Sequence, residues 1–261
     1  MTKIKLISFR LGLLLYFLQF SLSVFSQKTD SSSVSTQFSG SITATNNGFA
    51  IIPTFSLNSP TVIVNLSWRK KNLSFEPDIR LVPNATKGGF LFWLRYRLGN
   101  EQKLSFRVGT HPAFSYVRRT ITDNGTSTEI TEMLRFAAFE VAPNYKIRPN
   151  WSIGAMYLQG VGLQKHGPQN TRVLFLNTFI SNLKLRGDTQ FTFIPMLYFL
   201  NTDNTTGQYY TATGILSNKK TPFSLQASIN KTINSNIAGN KDFMWNVGLT
   251  YAFSKEFRRI K

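Results

Sequence analysis

From Phe38 to Phe253 the chain alternates large apolar residues with small or polar ones at a period of two, and turn-forming residues break the alternation at short intervals. The last such stretch is the clearest. Phe243, Trp245, Val247, Leu249, Tyr251 and Phe253 share one strand face, while Met244, Asn246, Gly248, Thr250 and Ala252 share the other. Beyond the N-terminal stretch, no segment offers the run of about 18 uncharged apolar residues that a spanning helix needs, so a membrane form of this chain must cross with strands. The pattern therefore admits two classes: a soluble β protein, or a barrel embedded in lipid.

The two classes differ in which face carries the bulk. A soluble barrel fills its inside with large side chains, whereas a membrane barrel turns them to lipid and keeps small and polar groups within. Gly154, Gly160 and Gly162 fall on one face of the 151–164 run, opposite Trp151, Ile153, Tyr157, Val161 and Leu163. Several runs reach the ~9 to 11 residues of a tilted spanning strand. Trp68, Trp151, Trp245 and Tyr251 lie near run ends, where an interfacial aromatic girdle belongs. These features predict an all-β, antiparallel, up-and-down transmembrane β-barrel. The alternative is a soluble periplasmic β-barrel that binds an apolar ligand in a core made of the same residues.

Spanning barrels join strands by short turns at one end and longer loops at the other. Counting back from the last strand, the connections at 234–241, 202–207, 165–170, 121–131 and 84–88 are the longer set. Those at 218–221, 186–188, 148–150, 99–102 and 69–72 are tight. Only 58–60 breaks the rhythm, being short where a long loop is due. The count predicts about twelve strands from Gly48 to Phe253, with ten to fourteen open, and leaves Phe38 to Ala44 without a role.

Residues 1–26 have the layout of a secretory signal peptide: Lys3, Lys5 and Arg10, an apolar run from Leu11 to Phe25, and cleavage expected before Gln27. The serine-rich stretch 27–36 reads as a flexible leader, 37–253 as the barrel and 254–261 as a basic C-terminal tail. Cysteine is absent, which excludes disulfides, a lipidated N-terminus and thiolate metal sites. No cofactor is implied. The formal charge of +18 falls to +15 when the three basic residues of the signal are removed. Its dispersal over turns and strands argues against nucleic acid and for anionic lipid or anionic solutes. The turn and tail cations Arg69, Lys70, Lys71, Arg148, Lys219, Lys220, Lys255, Arg258 and Arg259 fall mainly at the short-turn end, and serve as solvated turn residues or as contacts to anionic outer-membrane lipid. The expected partners are that lipid and the barrel-assembly machinery, the expected state a monomer and the expected location the cell outer membrane.

Particular strings carry a family likeness. Phe75-Glu76-Pro77-Asp78, Phe92-Trp93-Leu94-Arg95-Tyr96, Val141-Ala142-Pro143-Asn144-Tyr145 and Phe243-Met244-Trp245-Asn246-Val247-Gly248-Leu249 resemble small outer-membrane β-barrel proteins of the Bacteroidetes type. The likeness covers most of Phe38 to Phe253 and implies architecture and location, without catalytic residues to transfer. In one respect the chain departs from it: outer-membrane barrels commonly end on an aromatic residue, and here Phe253 is followed by eight more residues.

The candidate site is a set of charges within strands. Glu76, Asp78 and Arg80 share a face; Arg95 and Arg97 lie opposite Phe92, Leu94 and Tyr96; Arg107 and His111 lie opposite Phe106 and Val108. If these faces point inward, neighbouring strands gather a lumen charge cluster. Such a cluster either plugs a narrow lumen with paired charges or lines a pathway that attracts anions. The resulting expectation is an outer-membrane barrel that is structural or a narrow passive pathway for small, anionic solutes, and not an enzyme. A membrane lipid hydrolase or acyltransferase using His111 is the competing chemistry. However, Ser115 on the same face stands four residues away, ~13 Å at strand rise, too far for proton transfer. His166, in a Lys-His-Gly-Pro loop, reads as solvated.

Overall fold

The computed structural model describes residues 35–50, 55–99, 103–123 and 126–258. The expected signal peptide, most of the leader and the last three residues of the tail lie outside the described residues. Twelve antiparallel strands close into one barrel: β1 (Ser35–Thr45), β2 (Thr61–Lys70), β3 (Leu73–Leu81), β4 (Lys87–Leu98), β5 (Leu104–Asp123), β6 (Thr126–Arg148), β7 (Trp151–Gly162), β8 (Asn170–Lys184), β9 (Thr189–Thr202), β10 (Thr205–Asn218), β11 (Phe223–Ser235) and β12 (Phe243–Arg258). Each strand pairs with its neighbours in sequence, and β1 closes on β12. Among the described residues no helix is long and apolar enough to cross a membrane.

The strand number agrees with the sequence count, but its start is displaced. Residues 48–50 and 55–57 are not strand. The first strand is β1, which contains the unplaced Phe38–Ala44 together with Ser35 and Thr36 of the expected leader. Its partners at the other end of the chain include Ser254 to Arg258, so the first five residues of the expected tail are ladder and not tail. The break in loop rhythm disappears with this shift, because the β1–β2 connection runs from Asn46 to Pro60 and is long. Nor are 121–123 and 126–131 loop: β5 and β6 stay paired out to Asp123 and Thr126. Beyond Val117, where β4 ends its pairing with β5, they project past the rim as a two-stranded ribbon.

The alternation points as a membrane barrel requires. Every strand exposes at least one large apolar side chain on the outer wall, among them Trp68, Phe75, Trp151, Leu225 and Trp245. An apolar surface running round the whole molecule is far beyond what a soluble monomer leaves in water. Its counterparts inside are Thr43, Thr45, Gly109, Thr211, Asn230 and Asn246.

Four prolines lie within strands, and all four share the outward parity: Pro77, Pro112, Pro143 and Pro195. At each the ladder breaks on one side only. Pairing with β2 skips from Asp78 to Phe75, β4 with β5 from Leu91 to Leu94, β6 with β7 from Val141 to Asn144, and β8 with β9 from Asn177 to Ile180. A proline lacks the N–H for one neighbour and leaves the other ladder intact, which accounts for this one-sidedness.

The β1–β2 connection folds into the lumen. Gly48 holds a positive φ of 55°, and a Cβ there would lie 2.2 Å from Thr61 Oγ1, so glycine is required where the chain turns inward. Leu57 N donates to Gly48 O at 3.0 Å, and the Ser56 hydroxyl donates to Ala50 O at 2.7 Å. Lys87 Nζ donates to Leu57 O at 2.7 Å, fixing the loop to the wall. Ala50 and Phe55 pack on Ala113 and Phe136, narrowing the bore from one side.

Candidate functional site

β3, β4, β5 and β6 lie side by side and place Glu76, Arg95, Arg107 and Glu140 on the inner wall. Arg95 on β4 is the hub. Its Nη1 donates to Glu76 Oε2 at 2.5 Å, its Nε to Glu140 Oε1 at 2.7 Å and its Nη2 to Glu140 Oε2 at 3.2 Å. Arg107 on β5 donates through Nε to the same Glu140 oxygen at 2.8 Å. Ser74 donates to Glu76 Oε1 at 2.7 Å, and Arg69 stands 3.7 Å from that atom. The Arg95 guanidinium also lies 3.9 Å above the Trp93 ring. Burying these carboxylates without partners would be costly, and three arginines on three strands meet that cost.

The sequence-derived residues thus come together in part. Glu76, Arg95 and Arg107 form the cluster. Asp78 and Arg80 face the same lumen as a separate bidentate pair, at 2.8 and 2.7 Å along one strand. Arg97 lines the bore nearer the short turns. His111 is buried with its ring 3.9 Å from that of Trp93, and its Nδ1 finds no hydrogen-bond partner among the described residues. Its cross-strand neighbour on β6 is Ala138. Sequence reasoning missed Glu140, which is wholly buried and bridges Arg95 and Arg107. The available signal was parity: Glu140 shares its face with Ala138 and Ala142, opposite Phe139 and Val141.

The opposite wall has another character. Leu158, Val173, Phe175, Tyr198, Leu200 and Tyr209 form an apolar and aromatic strip on β7 to β10, with Tyr198 and Tyr209 stacked at 4.6 Å. Tyr198 donates its hydroxyl hydrogen to Asn230 Oδ1 at 2.8 Å. A third sector, on β10 to β12 and β1, is lined by hydroxyls and amides paired across strands. They include Thr213 with Ser228 at 2.9 Å, Thr43 with Thr250 at 2.8 Å, and Thr45 with Asn246.

These walls enclose a succession of cavities. One of about 630 Å³ sits at the long-loop mouth beneath the β11–β12 loop. It shares Phe49 and Ala50 with a central chamber of about 470 Å³ containing Trp93, His111 and Phe175. The central chamber shares Met156, Phe175 and Met196 with a basin of about 520 Å³ at the short-turn end. Arg97, Lys103, Arg107 and Lys146 line that basin, and no carboxylate does among the described residues. Groups of acidic, histidine or cysteine side chains able to hold a metal ion are absent among the described residues.

No family model and no curated protein matches the chain. Solved structures do. The barrel is similar to the KdgM porin, with a TM-score of 0.50 and 11% identity over 82% of this chain and 99% of that one. It also resembles the NanC porin, at a TM-score of 0.48 and 9% identity over 85% of this chain and 100% of that one. At such identity the likeness to the KdgM porin is one of fold: the chain is a closed twelve-stranded antiparallel barrel of porin-like architecture.

Proposed function

We propose that this outer-membrane barrel is a narrow passive pathway for small solutes, with a preference for anions. The observation that carries the reading is the succession of cavities sharing walls from the long-loop mouth to the short-turn basin. A lumen serving structure alone has no need of connected chambers. The preference follows from the cationic lining of the basin, in which Arg107 shares Glu140 with Arg95 and no carboxylate lines the wall among the described residues: a unit charge ~8 Å from a permeating ion contributes roughly 2 kcal/mol at an effective dielectric of ~20, several times thermal energy. The barrel works as a monomer surrounded by outer-membrane lipid, placed there by the barrel-assembly machinery, and belongs with the Bacteroidetes-type barrels that its sequence resembles.

The reading is non-enzymatic. A hydrolase would need a hydroxyl within about 3 Å of the imidazole and a carboxylate to orient it. His111 instead has Ala138 and the Trp93 ring beside it.

Planar-bilayer recording tests the proposal. Purified barrel should give small, discrete conductance steps whose reversal potential in a potassium chloride gradient lies toward chloride. Phe55→Ala, which trims the inward loop, should raise the step size. A barrel that inserts and stays silent in both forms overturns the pathway.

A further inference from the structure

At the short-turn end, the outer wall on either side of β1 carries charge. Two register rows of outward-facing residues cross β12, β1, β2 and β3 there. Phe257, Thr36, Lys70 and Leu73 form the row nearest the turn, and Lys255, Phe38, Trp68 and Phe75 the next. Trp68 is 62% exposed, the most of any large apolar side chain among the described residues, and both lysines are exposed. Lys255 Nζ stands 5.4 Å from the Phe257 ring centre. The acid of β1, β2 and β12 among the described residues is Glu256, which alternates to the other face opposite Gln37, while Glu76 of β3 is taken up inside by Arg95. Strand spacing and rise put the Lys70 and Lys255 Cα atoms about 12 Å apart across β1. Between Lys70 and Phe257 stands only the small Thr36. Farther from the turn the wall is apolar. At Gly40 a Cβ would lie 2.7 Å from Phe253 Cζ and 2.8 Å from Leu66 Cδ2, so glycine lets those two side chains close over β1.

A lysine on a lipid-facing strand is tolerated where its stem lies along the apolar wall and its ammonium reaches the headgroups. Short turns mark the periplasmic end of an outer-membrane barrel, and an exposed tryptophan marks the interface. A free phosphate there would use the lysines and leave the aromatic wall unused. A zwitterionic lipid would bring its own cation to its phosphate. An anionic diacyl lipid uses both the lysines and the wall. We propose that the β12–β1–β2 wall holds one anionic glycerophospholipid, its phosphate between Lys70 and Lys255 and its acyl chains over Trp68, Phe38 and Phe253. The site is on the outside of the barrel and stands whether or not the lumen conducts.

Native mass spectrometry of the barrel released from neutral detergent tests this with three probes: dioleoyl phosphatidylglycerol, dioleoyl phosphatidylcholine and glycerol 3-phosphate. One phosphatidylglycerol should be retained about tenfold more than phosphatidylcholine, and glycerol 3-phosphate should not be retained. Lys70→Gln combined with Lys255→Gln should bring phosphatidylglycerol down to the phosphatidylcholine level. Lys184→Gln combined with Lys219→Gln removes the same charge elsewhere at that end and should leave the preference intact. A heat-dependent gel shift establishes that each variant is folded, and the three wild-type titrations decide the matter if a variant is not. Equal retention of the two lipids, or retention of glycerol 3-phosphate matching that of phosphatidylglycerol, overturns the site. So does a preference that survives in the folded Lys70, Lys255 variant, or one lost equally in both double variants.

Discussion

At the scale of single residues, Glu140 carries the most weight. Among the described residues it is the one carboxylate shared by Arg95 and Arg107, and it is wholly buried. Glu140→Gln takes from Arg107 its carboxylate and leaves Arg95 with Glu76 alone. The expected cost is roughly 3–5 kcal/mol, the range for breaking a buried pair by removing one partner, read as a lower urea midpoint of unfolding in micelles. The same variant should move the reversal potential further toward chloride, since the lumen gains a positive charge. His111 behaves in the opposite way. Its imidazole rests on Trp93 with Nδ1 unpartnered among the described residues, so His111→Phe should be neutral or stabilising, should leave conductance unchanged, and should label with a serine-directed probe no more than wild type. Parity made Glu76, Asp78, Arg80, Arg95, Arg97, Arg107 and His111 legible as inward candidates, because several charges recurred on one face of adjacent runs. It did not reveal Glu140, a solitary acid whose partners lie on strands thirty-three and forty-five residues away. Nor could it separate the Asp78–Arg80 pair from the cluster, since that depends on rotamers.

At the scale of elements, the ends of the ladder were the hardest to read. β1 is Ser-Thr-Gln-Phe-Ser-Gly-Ser-Ile-Thr-Ala-Thr, with too little bulk on its outer face to announce a spanning strand. The stronger apolar run at 48–57 reads as the first strand instead, whereas Ala50 and Phe55 of that run pack inside the barrel from a loop. Runs bounded by turn residues on both sides are legible in the sequence, because there the period and the turn chemistry agree. The ribbon of β5 and β6 was read as a loop because its tip alternates polar residues on both faces, as a hairpin clear of both lipid and core does. One prediction belongs here. Ending the chain after Phe253 removes the pairs from Ser254↔Ser39 to Arg258↔Ser35, nearly half of the β1–β12 register. The truncated barrel should close but lose its heat-resistant form at a distinctly lower temperature, as followed by unboiled gel mobility.

At the scale of the whole molecule, the assignment of lipid outside and polar groups inside is the claim on which the rest depends. Detergent-extracted protein from the outer-membrane fraction should migrate differently boiled and unboiled, since a closed barrel stays compact in dodecyl sulfate until heated. Recovery in the soluble fraction without detergent would contradict the exposed apolar wall. Strand number was legible from the rhythm of turns, but the partition of the bore into chambers was not, because it depends on stagger and on one loop turning inward. The closure between β1 and β12 carries a consequence for the order of events during biogenesis. Its partners, such as Thr43 and Thr250, are separated by 207 residues, so the first strand to be made is the last to find its second neighbour. Through all of synthesis and export it must wait as an open edge, the condition in which a chain is most prone to pair with a stranger. A strand whose bulk is Phe38 and Ile42 among serines, threonines and a glycine waits safely: it is too weakly apolar to adhere elsewhere, and it commits only when β12 arrives to meet it.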